Sequence, residues 1–459
     1  ELPLRLVGSE MCIRDRCATY RDAFQAFLQA LFESAPDIAN LVEIPKDWWP
    51  DEWCHDKDRT RPKYHRPACP LKYALPGHPK SGNIWESHTD GVLLRLRWKR
   101  VEAWCGIFVH PDGSILVLYV DDFMLVATVL QAYQHWNEIG RHIDFQDPGA
   151  ELVGYLGAIY RFDEYNPKVP SHPRSIATEM SGYLKNLVQR FQREHSDVHL
   201  LKVKTPCPPI RKEWTPEDEE VGRFAGDIAS YAASGLFASL VARPDLAVAV
   251  QRMCSRVTKW TVVDDAKLVR FMSYIAQEHD QELLGILGPD DLEDLELVVW
   301  PDADWNGDPN TTRSTSGLFV ELRGKKSGNC FPLTWKVSHQ TATASSSAES
   351  ETVSASVAIR SAALPIQALL EDMLGITIPI ACKIDNTQAI AAINNGYSKK
   401  LRFLGRTHRV SIGVLHEIAN NPKTKMTVEY VKSAEHKGDF FTKELDVTAF
   451  RDCLLYTSD

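Results

Sequence analysis

The stretch Ser114-Ile115-Leu116-Val117-Leu118-Tyr119-Val120-Asp121-Asp122-Phe123-Met124-Leu125-Val126-Ala127 organises the reading of this chain. Two apolar runs flank one pair of adjacent carboxylates, Asp121 and Asp122. Each run is of strand length and rich in Val, Ile and Leu, which predicts a hairpin with its two-residue break at the acid pair. Adjacent like charges between apolar strands are costly unless something neutralises them. A divalent cation with oxygen ligands would do so. From these residues alone a plain polar hairpin tip reads equally well, because Asp is a common turn residue.

Working outward, 459 residues that are 44% hydrophobic and 25% charged leave room for several domains with proper cores. A net charge of -9 argues against a basic footprint spread over the whole molecule, though not against a local basic groove. The 10 cysteines form no CxxC pair and no regular spacing, so no disulfide framework is indicated and a reducing compartment fits. Cys54, His55, His65 and Cys69 match no usual zinc spacing. The longest apolar runs are too short for a bilayer, so no membrane partner is expected. Met11-Cys12-Ile13-Arg14-Asp15-Arg16 and Cys453-Leu454-Leu455-Tyr456-Thr457-Ser458-Asp459 resemble peptides translated from sequencing-adapter DNA. Residues 1–16 and 453–459 are therefore read as a foreign leader and tail and set aside from fold reasoning.

A helix is expected over Asp22–Phe32, and residues 50–90, rich in Pro, His, Lys and Arg, read as a solvated loop or a nucleic-acid-facing surface. Leu152–Phe162 reads as strand, 163–175 as loop, Gly182–Glu194 as helix and 203–222 as linker. Two helices follow, broken at Arg243-Pro244-Asp245, and then Leu268, Phe271, Met272 and Ile275 line one helical face. The acidic run Asp290–Asp294 marks a domain boundary. Beyond it come strands at Leu295–Trp300, Ser316–Leu322 and Phe331–Val337 and a long helix at Ala348–Leu370. A strand at Ile378–Ile384, a helix over 402–419, a strand at Met426–Val431 and a short helix near 437–445 complete a mixed α/β domain.

In that domain Asp302 and Asp385 sit at strand ends, Glu351 near the start of the long helix and Asp439 in the last helix. Such positions can converge on a crevice at one sheet edge. Four carboxylates there would repel one another unless two divalent cations, about 3.5–4 Å apart, sat between them.

Pro301-Asp302-Ala303-Asp304-Trp305-Asn306-Gly307 resembles the Ser-Asp-Ala-Asp-Trp-Ala-Gly signature of copia-type retrotransposon ribonuclease H. Arg313-Ser314-Thr315-Ser316-Gly317, Thr334-Trp335 with Gln340, Ser346-Ser347-Ala348-Glu349-Ser350-Glu351, Lys383-Ile384-Asp385-Asn386 and Thr407-His408 continue the similarity in order. Gly438-Asp439-Phe440-Phe441-Thr442-Lys443-Glu444-Leu445 resembles the closing Ala-Asp-x-x-Thr-Lys-Pro-Leu. The resemblance implies cleavage of the RNA strand of an RNA–DNA hybrid, with Asp302, Glu351, Asp385 and Asp439 as ligands of two Mg²⁺ (or Mn²⁺) ions. Asp302 is preferred over Asp304 for its nearness to the strand end, and Glu351 over Glu349 for the Glu-x-x-Ser354-Ala355 spacing. His408 would position water or release product, or serve the structure.

Tyr119-Val120-Asp121-Asp122 likewise resembles the Tyr-x-Asp-Asp box of reverse transcriptases, and Asp22-Ala23-Phe24-Gln25-Ala26-Phe27-Leu28-Gln29-Ala30 resembles the family's Asp-Val-x-x-Ala-Phe-Leu-Gln-Ala. The resemblance implies that Asp22 and Asp121 hold two further ions with Asp122 assisting. It also implies that Phe27 excludes a ribose 2′-hydroxyl and that Tyr119 and Gly77 contact substrate, the latter within Tyr73-Ala74-Leu75-Pro76-Gly77-His78-Pro79. Leu156-Gly157 resembles the primer grip, and Val241-Ala242-Arg243-Pro244-Asp245-Leu246-Ala247 the thumb. The implied fold is α/β and α+β multidomain: a partial palm over 17–175, a helical thumb and connection over 176–290, and a ribonuclease H-like domain over 295–445. The implied partners are an RNA template, a DNA primer, RNA–DNA hybrid, dNTPs and other Pol or Gag products, in a cytoplasmic virus-like particle or in the nucleus. The family's fingers, protease and integrase segments do not precede Asp22 here, so the chain reads as a carboxy-terminal fragment that polymerises poorly. The alternative is a catalytically inactive nucleic-acid-binding remnant.

Overall fold

Sheet pairing, more than local propensity, sets the architecture. The computed structural model describes residues 5, 8–9, 16–32, 40–102, 104–146, 150–155, 157–163, 172–207, 219–308, 311–445 and 447–453. They fall into two units, Cys17–Glu151 and Leu152–Asp459, the latter together with Glu1–Arg16.

The smaller unit is built on a six-stranded antiparallel sheet. Its order is Ala150–Glu151, Cys17–Asp22, Asp122–Ala127, Ile115–Tyr119, Ile107–Val109 and Lys99–Arg100. The apolar hairpin lies at its centre, where Phe123, Met124, Leu125, Val126 and Ala127 are all buried. Its break differs from the expected one. Val120 and Asp121 form the loop, while Asp122 is already in the strand, opposite Tyr119. Val120 takes φ 59°, a left-handed conformation that β-branched residues avoid. It is held there by the Trp85 indole donating to its carbonyl at 2.6 Å.

The helix expected over Asp22–Phe32 does not form. Cys17–Asp22 is a strand that pairs over its whole length with Asp122–Ala127, Asp22 opposite Asp122. Only Ala26–Gln29 keep a single 3-10 turn. The cross-strand partner outweighs the helical spacing of Ala23, Ala26 and Ala30, which pack into the core instead. Within the basic 50–90 stretch the structure has an unforeseen helix, Ser81–Arg95, which buries Trp85, Thr89, Val92 and Leu93 on one face. Helix Val129–Ile139 opens on a Thr128/Gln131 capping box and buries Ala132, Trp136 and Ile139.

The larger unit joins a four-stranded antiparallel sheet to four helices and a five-stranded mixed sheet. The first is Gly154–Tyr155, Ala158–Phe162, Arg174–Glu179 and Leu283–Leu287. The helices are Ser181–Glu194, Ile228–Val241, Ala247–Cys254 and Val262–Gln277. Leu268, Phe271, Met272 and Ile275 are all fully buried. The five-stranded sheet runs Cys330–His339, Thr315–Gly324, Leu295–Asp304, Ile380–Ile384, Met426–Tyr430, its first three strands antiparallel and its last two parallel. One core spans helices and sheet, joining Tyr231, Val250 and Phe271 to Trp300, Phe319 and Trp335, and the Trp335 indole donates to the Ser239 carbonyl at 2.7 Å.

The acidic run near 290 is a 3-10 turn, Pro289–Glu293, in which buried Asp291 accepts from Gly288 N–H, Ser327 and Asn329. The 175/176 boundary read from sequence falls inside strand Arg174–Glu179. Of the leader set aside as foreign, Arg5 is buried and donates to the carbonyls of Leu333 and Val241. The loop expected at 163–175 lies, over 164–171, outside the described residues. So do 208–218 of the linker, Leu156 of the primer-grip match and most of both terminal peptides.

The long helix is continuous from Ser347 to Leu374, widening to a π turn at Ile359–Ala363 just before Pro365, which has no N–H to donate. Contrary to the sequence expectation, its 28 residues are long and apolar enough to cross a membrane by length and composition. In this fold 67% of its apolar window is buried inside the protein. A second unforeseen helix, Thr387–Asn395, is capped by the Asn386 side chain, which accepts from the N–H groups of Gln388 and Ala389. The helix expected over 402–419 is two pieces, Leu404–Thr407 and Ile412–Asn420, and that expected near 437–445 is a 3-10 turn, Lys437–Phe441.

Candidate active site

Asp302 owes its setting to a divergence of strands. Leu295–Asp304 pairs with Thr315–Gly324 along all ten residues, but with the parallel strand Ile380–Ile384 only at Leu297–Val299. The carboxyl ends of the two parallel strands therefore part, leaving Asp302 and Asp385 at a notch. Ser354, one turn beyond Glu351, donates to the carbonyls of Asp302 at 2.7 Å and Gly317 at 3.0 Å, which pins the long helix against the strand. Two glycines let the last turn approach. A Cβ at Gly317 would meet Thr442 Cγ2 at 2.6 Å, and one at Gly438 would meet Asp302 Cβ at 2.9 Å.

The result is two overlapping donor groups. Asp302, Glu351 and Asp385 offer ligand atoms all within 4.8 Å of one another, and so do Asp302, His436 and Asp439. All four carboxylates singled out in this domain are thus brought together around Asp302, which is 1% exposed. Burial, then Asp302 and Asp385, push the Glu351 carboxyl up to about 10, and its Oε2 has no hydrogen-bond partner. Burial and Asp302 push Asp439 up to about 6, against the pull of Lys443. The Lys443 ammonium donates to Asp439 Oδ1 at 2.7 Å and lies 4.0 Å from Asp302 Oδ2. Burial would lower that ammonium, but Asp302, Asp439 and Asp385 outweigh it and hold it above its ordinary value. Thr442 donates to Asp302, and Ser433 to Asp385 at 2.9 Å. An all-oxygen set with a buried, unpartnered carboxylate oxygen suits a hard divalent cation. His436 fits less well as a ligand, since Nδ1 accepts from Gly438 N–H at 3.2 Å and Nε2 faces the Lys383 carbonyl at 3.0 Å.

The neighbouring acids lie elsewhere. Asp304 is 3.6 Å from Arg252. Glu349, on the other side of the helix, accepts from Ser345 and Thr407, and these contacts with His408 hold it below its usual range despite burial. His408 is buried 3.6 Å from Glu349, its ring nitrogens without hydrogen-bond partners. Beside the N-terminus of the long helix is a cavity of about 320 Å³ lined by Ser345, Ser346, Gln388 and Lys400. Lys400 and, near it in sequence, Lys399, Arg402, Arg406 and Arg409 are exposed.

In the smaller unit Asp22 and Asp122 face each other across strands while Asp121 is exposed in the loop. Among the described residues these three do not form a group with ligand atoms within 4.8 Å of one another. Asp122 accepts from the Tyr20 hydroxyl, and Asp22 from Gln146 at 3.1 Å. Burial lifts Asp122 above its ordinary range, the Tyr20 bond opposes it and Asp121 adds to the rise. Phe27 is half-buried against the core, Tyr119 is 58% exposed, and Gly77 is exposed at φ 88°. The Arg243-Pro244-Asp245 motif is a buried fastener: Arg243 makes two hydrogen bonds to Asp245, at 2.8 and 2.6 Å, and Tyr274 a third at 2.9 Å.

Sequence reasoning missed one further cluster. His110, Asp112 and His135 meet at the far end of the hairpin, each histidine 2.9 Å from Asp112. No regular spacing announces it, because helix packing delivers His135. It also passed over Lys443, Thr442 and Ser433 as site residues, although Thr442 and Lys443 lie inside the closing motif.

No family model matches the chain. It is 25% identical over 412 residues, 86% of its length, to the Retrovirus-related Pol polyprotein from transposon RE1 of Arabidopsis thaliana. It is 24% identical over 407 residues to the corresponding RE2 polyprotein of the same plant. Over most of its length the chain is similar to retrovirus-related Pol polyproteins of transposons. It spans about a quarter of the length of the curated Pol polyproteins it matches.

Proposed function

We propose that this Pol relative cleaves the RNA strand of RNA–DNA hybrids at Asp302, Glu351, Asp385 and Asp439. The observation that carries the reading is the convergence of these four carboxylates on a notch where Glu351 Oε2 has no partner. Asp302, Glu351 and Asp385 would hold one Mg²⁺ or Mn²⁺, and Asp302 with Asp439 a second. Bound there, the two cations supply an activated water and charge stabilisation for the leaving oxygen of a phosphodiester. The chain's own contribution is positioning. Ser354 fixes the helix to the strand, Ser433 and Thr442 orient the carboxylates, and Lys443 offsets part of their charge. The exposed cations at 399–409 give the hybrid's phosphates a sequence-independent contact. The ribonuclease H-like fold implied by the motifs is supported by the mixed sheet and the site at its carboxyl edge. The location proposed with this activity is a cytoplasmic virus-like particle, with the nucleus as a second site.

For the smaller unit the corresponding proposal is RNA-directed DNA synthesis from a DNA primer, an RNA template and dNTPs at Asp22, Asp121 and Asp122. A second reading of this unit, nucleic-acid binding without turnover, is favoured by the hold of Tyr20 on Asp122 and by the wider spread of the three carboxylates.

The test is cleavage of a labelled RNA–DNA hybrid in Mg²⁺ or Mn²⁺, with Asp302→Asn and Asp385→Asn as controls. Cleavage independent of metal, or surviving both substitutions, would overturn the proposal.

A further inference from the structure

The two donor groups that share Asp302 are not equivalent. On the Glu351 side, a carboxylate oxygen is buried with no donor at all. On the Asp439 side, a positive charge is already present. Lys443 reaches back one helical turn to Asp439 Oδ1 at 2.7 Å and stands 4.0 Å from Asp302 Oδ2. The backbone that carries it is fixed by the neighbouring Thr442 hydroxyl, which donates to that same Asp302 oxygen. The nitrogens of His436, which also lies on this side, are both engaged. At 41% exposure the Lys443 side chain has solvent to swing into. An ammonium and a divalent cation cannot share such a space without strong repulsion.

We propose that Lys443 is a tethered cation on the Asp302–Asp439 side, so that the first divalent ion enters at Asp302, Glu351 and Asp385 and the second must displace the ammonium. This rests on the proposed function's reading of the four carboxylates as ligands. Lys443 is then a positioning residue. It keeps the carboxylates from splaying apart before substrate arrives, and it makes the second cation conditional, since a hybrid phosphate entering the notch offers the ammonium an alternative partner.

The test is a calorimetric titration of Mn²⁺ into the full chain, without substrate, for wild type, Lys443→Met, Lys443→Gln, Lys443→Arg, Asp439→Asn and Asp302→Asn. Thermal melting of each checks folding. At the notch, whose events are those lost in Asp302→Asn, wild type is expected to bind a first ion, and a second at least roughly tenfold more weakly. Lys443→Met tightens the second event about tenfold or more and leaves the first within about twofold. Lys443→Gln, which keeps a polar side chain, does the same if Met unfolds the protein, whereas Lys443→Arg, which keeps the charge, behaves as wild type. Asp439→Asn removes the second event alone. An unchanged second event in the neutral variants, or equal tightening of both, overturns the role of Lys443. Loss of no binding event in Asp302→Asn, or no Mn²⁺ binding by wild type and Lys443→Met, instead overturns the ligand reading on which it rests.

Discussion

The smaller unit gathers its three acids from one strand end and one hairpin, two of them adjacent in sequence, while the larger unit draws four from separate elements. Yet the scattered set is the one that meets, in two groups that share Asp302, the ligand atoms of each within 4.8 Å and one of them including His436. Adjacent residues of a hairpin turn diverge: Asp122 enters the strand and Asp121 turns to solvent. The scattered acids are driven together by packing. Parallel strands end at one edge, Ser354 locks a helix onto the antiparallel pair at Asp302 and Gly317, and Gly317 and Gly438 admit the last turn. The difference also extends to electrostatics. Asp122 has a phenol to bond with, whereas Glu351 Oε2 has nothing.

The strongest way to break this comparison is Asp302→Asn. Hybrid cleavage should fall at least about a hundredfold while primer extension stays within about twofold. A parallel loss of both activities would mean that the two sites are not independent. Next is Ser433→Ala, which frees Asp385 to rotate and should lower cleavage by roughly tenfold, with a higher Mg²⁺ requirement. An unchanged Mg²⁺ requirement would remove Ser433 from the site. Smaller again, Tyr20→Phe releases Asp122 and should raise primer extension about threefold. A fall would show that Tyr20 orients Asp122 instead of withholding it.

A further prediction concerns stability instead of activity. With metal chelated, native Glu351 keeps its proton up to about pH 10, whereas an unfolded glutamate loses it near 4.5. The native state thus binds more protons through that window, and stability falls as pH rises. Asp439, raised to about 6 from 3.8, adds to the fall at the acid end. The melting temperature in chelator should therefore drop between pH 5 and pH 9. Glu351→Gln should flatten the drop, and Mg²⁺ should oppose it. A flat profile for the unsubstituted chain would mean that Glu351 is less buried than described.

Elements whose side chains state their own environment were readable. The hairpin strands, the Leu268–Ile275 face and the five strands from Leu295 onward appear close to where alternation and helical spacing put them. Thr387–Asn395 also had its signals: Asn386 as cap, Ala389, Ala392 and Ile393 on one face, and Gly396 after the end. Cys17–Asp22 was not legible as a strand from its own pattern, since the helical spacing of the alanines beyond Asp22 dominates and only the partner strand decides. Lys437–Phe441 forms a 3-10 turn where the sequence predicts a short helix; its buried Phe440 and Phe441 are apolar residues that either conformation can bury.

By itself the sequence determined the chemistry on offer: seven carboxylates at named positions, the apolar runs that carry most of them, and the order in which its motifs follow one another. Tertiary structure decided which of those carboxylates act as a group. Charge can be read from a residue's identity. The cost of keeping that charge, and hence its call for a cation, depends on burial and on neighbours that come from distant parts of the chain, as Glu351 among Asp302, Asp385 and the apolar core demonstrates.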